Sequence, residues 1–156
     1  MSTTIPAGSR LLAEDLLAIT SLLDDAWSTW TPTLTNLTLG SGVIVARYKQ
    51  IGRRVDYRFR FTLGAGSAVG TSPRFTLPVA PIASPAYVTF NDPLGDGQLA
   101  DTGTANRRAS VHMSSGSTVE IYSYSTTGVL TVITATVPHT WASTDVIAIS
   151  GTYEAA

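Results

Sequence analysis

The chain contains no cysteine, which excludes disulfides and thiolate metal sites and leaves the redox compartment open. Charge is scarce as well: 13% of the 156 residues are Asp, Glu, Lys or Arg, and the formal net charge is −1. No overall field therefore draws nucleic acid or an anionic membrane to the protein. No apolar run approaches the roughly 18–20 residues of a membrane span. The N-terminus carries no basic stretch followed by an apolar core, so neither membrane insertion nor a Sec-type leader is expected. Helix formers such as Glu, Lys and Gln are thin beyond the N-terminal segment, whereas β-branched residues are dense from Trp30 onward. That balance predicts an all-β chain of one ordinary domain.

What is present supports the same fold class. From Val55 to Leu63 the sequence alternates without error: Val55, Tyr57, Phe59, Phe61 and Leu63 fall on one face, Asp56, Arg58, Arg60 and Thr62 on the other. A strand places successive side chains on opposite faces, so this segment predicts a sheet packed on a core on one side and wet on the other. With the strand Val43–Gln50 before it, the segment reads as a hairpin folded back at Gly52. If Ile44, Ala46 and Tyr48 point inward, Ile51 has the wrong parity, which predicts a bulge near Gln50 and Ile51. Further strands are expected at Thr33–Leu39, Arg74–Leu77, Ala86–Phe90, Ala109–Met113, Val119–Ser125, Val129–Val137 and Asp145–Tyr153, with Gly, Ser, Asn and Pro clusters as turns between them. Short strands at this spacing predict an antiparallel β-sandwich of jelly-roll type over residues 29–156.

Residues 1–28 read differently. Ser9 is a candidate N-cap, and Leu12, Leu16, Ile19, Leu23 and Ala26 recur at 4-3-4-3 spacing as the apolar stripe of an N-terminal α-helix. The stripe covers about two and a half heptads, short of the run that defines a coiled coil. Two uses fit it: a small helical bundle between subunits, most simply a homotrimer, or a helix lying across its own domain.

The chemistry-bearing motifs are sparse. There is no phosphate-binding P-loop and no G-x-S-x-G elbow, and Gly64–Gly70 misses the dinucleotide spacing. The only two histidines, His112 and His139, stand in no metal or nucleophile motif and are expected to be structural or surface residues. Asp92, Asp96 and Asp101 gather in a segment read as a solvated turn; the EF-hand spacing fails there, and no cofactor or metal is expected. A depolymerase would need two carboxylates facing each other across a groove; Asp56, Glu120 and Asp145 are the scattered strand candidates, and no enzymatic activity is expected. Seven of the ten basic residues lie between Arg47 and Arg74. Arg47, Lys49, Arg58 and Arg60 share the outward face of the hairpin. That face fits a solvated surface, acids of a neighbouring subunit, since guanidinium forks match carboxylates, or an anionic partner such as a phosphate-bearing cell-wall polymer. Tyr122 and Tyr124 point outward together if Ile121 faces the core, as a contact for a subunit or for sugar rings.

The Tyr48-x-x-Ile51-Gly52-x-x-Val55 pattern resembles a hairpin of the β-rich domains of bacteriophage tail fibre and minor tail proteins. Trp30–Gly40 is similar to the strand preceding that hairpin, Arg74–Ala80 to its Leu-Pro-Val strand, and Thr136–Trp141 with Ile149–Tyr153 to its closing strands. Ile5–Leu12 resembles the start of small proteins from phages of actinobacteria. The resemblance implies a structural virion protein made in the bacterial cytoplasm, partnered by other virion proteins, which adheres to a host cell-surface glycan. A capsid decoration protein, head fibre or connector without a ligand is the alternative it leaves open.

Overall fold

The computed structural model describes residues 26–82 and 92–156 of the chain. Ten strands follow in order: β1 (Ser28–Thr29), β2 (Leu34–Thr38), β3 (Val43–Ile51), β4 (Arg54–Thr62), β5 (Ala68–Thr76), β6 (Pro93–Asp101), β7 (Ala105–Ser115), β8 (Thr118–Tyr124), β9 (Leu130–Val132) and β10 (Val146–Glu154). The described residues contain no helix and every strand pairing is antiparallel, so the all-β expectation holds. The N-terminal helix, with Leu12, Leu16, Ile19 and Leu23, lies outside the described residues, as does the strand expected at Ala86–Phe90. Ala26 is described: it is exposed and precedes β1 outside any helix or strand.

The β3–β4 hairpin follows from its sequence. Val43 pairs with Thr62 and the register runs unbroken to Ile51 opposite Arg54. Gly52 takes φ +59 at the first central position of the two-residue turn, the conformation a type II′ turn reserves for glycine. The bulge expected near Ile51 is therefore absent: Ile51 keeps its outward parity beside the turn and stays exposed. On β4, Val55, Tyr57, Phe59 and Phe61 are all at most 1% exposed, which makes this strand the spine of the core.

Two separate sheets were expected; the hydrogen bonds instead trace one ten-stranded sheet, β1-β3-β4-β10-β6-β7-β8-β5-β2, with β9 beside β8. The sheet is curled about its apolar face as a half-barrel. Phe59 of β4 stacks on Phe75 of β5 with ring centroids 4.3 Å apart and planes 3° from parallel, although five pairings separate those strands along the sheet. The seam between β3 and β2 is stitched at its ends. Gly42 N donates to Leu39 O (2.8 Å) in the turn that joins the two edges, and Trp30 Nε1 donates to Thr76 O (3.1 Å) across them.

Three local differences from the sequence reading have physical causes. The Asp92–Asp101 segment is not a solvated turn but the interior strand β6, paired on both sides by β10 and β7. Its glycines mark close packing: a Cβ on Gly97 would stand 2.0 Å from the Ala148 carbonyl oxygen. β5 begins six residues earlier than Arg74, at Ala68. Asn36, with φ +55, makes a bulge opposite it and donates its side-chain amide to Thr71 O at 2.6 Å. The long strand expected from Val129 shortens to Leu130–Val132, after which the chain turns and Trp141 Nε1 donates to Thr134 O at 3.0 Å.

Candidate binding face of the sheet

Because β4 buries its odd-numbered residues, its even-numbered residues build the outer, convex face. The registers of β3, β4, β10, β6 and β7 set the side chains of that face in rows across five strands. One row runs Val45, Arg60, Ala148, Gln98, Arg108; the next runs Arg47, Arg58, Ser150, Asp96, Ser110. A third begins Lys49, Asp56, Thr152. The middle strand, β10, contributes only small side chains here, so a shallow groove lies between the arginines of β3 and β4 and the polar residues of β6 and β7. Two adjoining depressions, each of about 500 Å³, share Arg60 and Ala148. The first is flanked by Val45, Arg47, Arg58 and Ser150, and the second continues past Gln98 to Thr102 and Asn106.

The charges of this face divide into paired and unpaired. Arg54 binds Asp56 at 3.0 Å, Arg53 binds Glu154 at 3.2 Å and Arg108 binds Asp96 at 3.4 Å. Burial alone would raise the Asp56 carboxyl, but the Thr152 hydroxyl and Arg54 outweigh it and hold it below its ordinary value. Arg47 and Arg60 are exposed and meet no carboxylate among the described residues. Arg58 lies over the indole of Trp27, 4.9 Å from its centroid. Arg47 and Arg58 are direct cross-strand partners, a like-charge pairing that destabilises a sheet.

Tyr122 and Tyr124 share the outer face but stand four pairings from β4, about 19 Å along the hydrogen-bonding direction at about 4.8 Å each. Ile121 faces the core, as the outward reading of the tyrosines requires, yet Tyr122 is buried. It packs edge-on against His112 (5.3 Å between centroids), and burial, aided by the Glu120 carboxylate, pushes its hydroxyl up to about 12. Tyr124 is half-buried under Arg108, whose guanidinium is 5.3 Å from the ring centroid. The tyrosines and the arginines therefore do not form one patch.

The outer face of β7 and β8 carries a polar cluster that the sequence reading missed. Ser110, His112, Glu120 and Tyr122 are all buried. Ser110 Oγ lies 3.0 Å from His112 Nε2, and Arg74 Nε donates to Glu120 Oε2 at 2.8 Å. Alternation alone would have aligned them, since Ser110 and His112 interleave with Ala109, Val111 and Met113. The Ser110–His112 spacing suits a nucleophile and its base, but Ser110 is 1% exposed, which closes its hydroxyl to a substrate in this arrangement.

His139 and Asp145 also meet, near the open ends of β6 and β10. Asp145 is 2% exposed and accepts from Thr102 N (3.0 Å) and Ala142 N (2.8 Å). His139 Nε2 is 3.6 Å from Asp145 Oδ2, outside hydrogen-bond range, and its ring leans on Trp141. Asp145 is thereby a structural acceptor of loop amides. Among the described residues no three His, Asp or Glu side chains converge as a metal site, and Asp96 is turned towards Arg108. No protein-family model, curated protein or solved structure matches this chain.

Proposed function

We propose that this is a non-enzymatic structural virion protein of a bacteriophage, of the tail fibre or minor tail type, which turns the outer face of its sheet towards a glycan of the host cell surface. The observation that carries the reading is the open face across β3, β4, β10, β6 and β7, where Arg47 and Arg60 stand exposed without acid partners among the described residues, beside a floor of small residues. A rigid curled sheet is a suitable scaffold for such contacts, because burial of β4 and β10 fixes where each outward side chain stands. Of the segments that carry the tail-protein resemblance, Tyr48–Val55 forms the β3–β4 hairpin and Ile149–Tyr153 lies in β10 beside it, while Trp30–Gly40 contains β2 and Arg74–Ala80 begins in β5, at the other end of the sheet.

In this reading a helix within the first 25 residues joins subunits, most simply three, through Leu12, Leu16, Ile19 and Leu23. The two halves of the curled sheet face each other as the layers of a jelly-roll sandwich do. Repetition around a trimer, and again around a particle, raises effective concentration, so each groove can be shallow and weak. The test is binding of fluorescently tagged, purified protein to host cells, together with immunogold location on the particle. Saturable binding to cells and label on the tail support the reading. Absence of binding with label on the capsid shell replaces it with a decoration protein.

A further inference from the structure

We infer that the groove over β10 is an oxyanion site for a charged glycan, with its anionic substituent held among Arg47, Arg58 and Arg60 and its uncharged sugars lying towards Gln98 and Asn106. This inference rests on the adhesion reading above and gives its ligand a chemical class.

The first argument is electrostatic. Arg47 and Arg58 face each other directly across β3 and β4, and Arg60 follows two residues along the same strand, about 6.8 Å further on. Three exposed guanidiniums on one small area repel one another weakly through solvent, and an anion lying among them relieves that repulsion. Among the described residues, the carboxylate beside these arginines on β4, Asp56, is already engaged by Arg54 and the Thr152 hydroxyl. Asp96, across β10, is engaged by Arg108. An oxyanion placed between the arginines converts the repulsion into charge-assisted hydrogen bonds, and the planar fork suits both phosphate and carboxylate oxygens.

The second argument is shape. Ala148 and Ser150 leave the groove floor low, and contact with the Trp27 indole restrains Arg58 before a ligand arrives. Preorganisation of this kind spares the ordering cost that weakens most arginine contacts. Beyond Ala148 the groove changes character. Gln98, Thr102 and Asn106 offer amides and hydroxyls, and the cation next in that row, Arg108, is paired with Asp96. A sugar chain whose oxyanions are spaced by uncharged units matches both ends. The groove spans four strand pairings, about 19 Å, the length of a few sugar residues.

The test is equilibrium binding of the full chain, in about 0.1 M salt, to three immobilised probes: a phosphodiester-linked glycan purified from host wall, hyaluronate, which carries a carboxylate on every second sugar, and neutral dextran. Binding to the phosphodiester polymer or to hyaluronate, well above dextran, is expected, and the preferred polymer identifies which oxyanion source the site takes. Arg47→Gln combined with Arg60→Gln is expected to lower that affinity about tenfold or more. Arg53→Gln combined with Arg107→Gln, which removes as much charge outside the groove, is expected to change it by less than about threefold. Ala148→Phe raises the groove floor with every arginine in place and is expected to abolish binding, so the site is tested independently of charge removal. Equal binding to all three probes, or binding unchanged by both the arginine pair and Ala148→Phe, overturns the inference. If host cells still bind the R47Q/R60Q and Ala148→Phe variants at wild-type level, adhesion stands and this site falls. If the polymers bind but cells do not, the site stands and adhesion falls.

Discussion

Removing the Asp145 carboxylate should be the most damaging single polar change in this protein. Its two oxygens accept from Thr102 N at 3.0 Å and Ala142 N at 2.8 Å, which belong to two different loops at the same end of the sheet. Its backbone accepts from Leu63 N at 2.8 Å, so one residue ties β4, the β6–β7 turn and the segment leading into β10 together. At 2% exposure, water does not replace the lost acceptors. Hydrogen bonds to a charged acceptor are worth about 1.5–3 kcal/mol each, so Asp145→Ala should cost about 3–6 kcal/mol, a large part of the roughly 5–15 kcal/mol that holds a domain folded. For a chain of this size the melting temperature should fall on the order of 10 °C. Asp145→Asn keeps one acceptor but turns an NH₂ towards the other loop amide, so its cost should be intermediate. Urea unfolding followed by fluorescence reports the change. A loss below about 1 kcal/mol for Asp145→Ala, or equal costs for Ala and Asn, would refute the acceptor argument.

Gly97→Ala should destabilise the protein by at least about 2 kcal/mol, because a Cβ there meets the backbone oxygen of Ala148 at 2.0 Å and neither interior strand can retreat; thermal unfolding that matches wild type would show that the β6–β10 pairing is misdrawn. Asp56→Asn should flatten the acid side of the stability curve. The carboxyl of Asp56 is held below its ordinary value in the folded state, so its contribution is present above the unfolded value of about 3.9 and is lost as pH falls through the lowered one. The effect should stay under about 1 kcal/mol because the group is partly exposed; denaturant midpoints of the two proteins measured from pH 7 downward should converge in acid.

The sequence made part of this fold legible. The β3–β4 hairpin could be read because its core-facing and outward residues alternate over nine positions and Gly52 supplies the turn. β6 escaped because its glycines and aspartates are turn formers by local propensity, while in the fold they are chosen for close packing under Ala148 and for pairing with Arg108. The joining of two expected layers into one curled sheet depends on β10 inserting between β4 and β6, a pairing across more than 80 residues that no local pattern announces. At the candidate site, the outward placement of Arg47, Lys49, Arg58 and Arg60 follows from parity. The opposite wall of the groove does not, since Gln98 belongs to the strand that was missed. Tyr122 shows the remaining gap: alternation gives the face on which a side chain lies, but its burial beside His112 depends on packing that the strand's own sequence does not contain.

The most direct measurement is a titration of ¹⁵N-labelled protein with the phosphodiester-linked wall glycan, followed residue by residue through backbone amide and arginine side-chain resonances. The account predicts shifts confined to Arg47, Arg58, Arg60, Ala148, Ser150 and Gln98, saturating with ligand. Shifts centred instead on Tyr124 and the Thr126–Gly128 turn, or no shifts at saturating polymer, would contradict it.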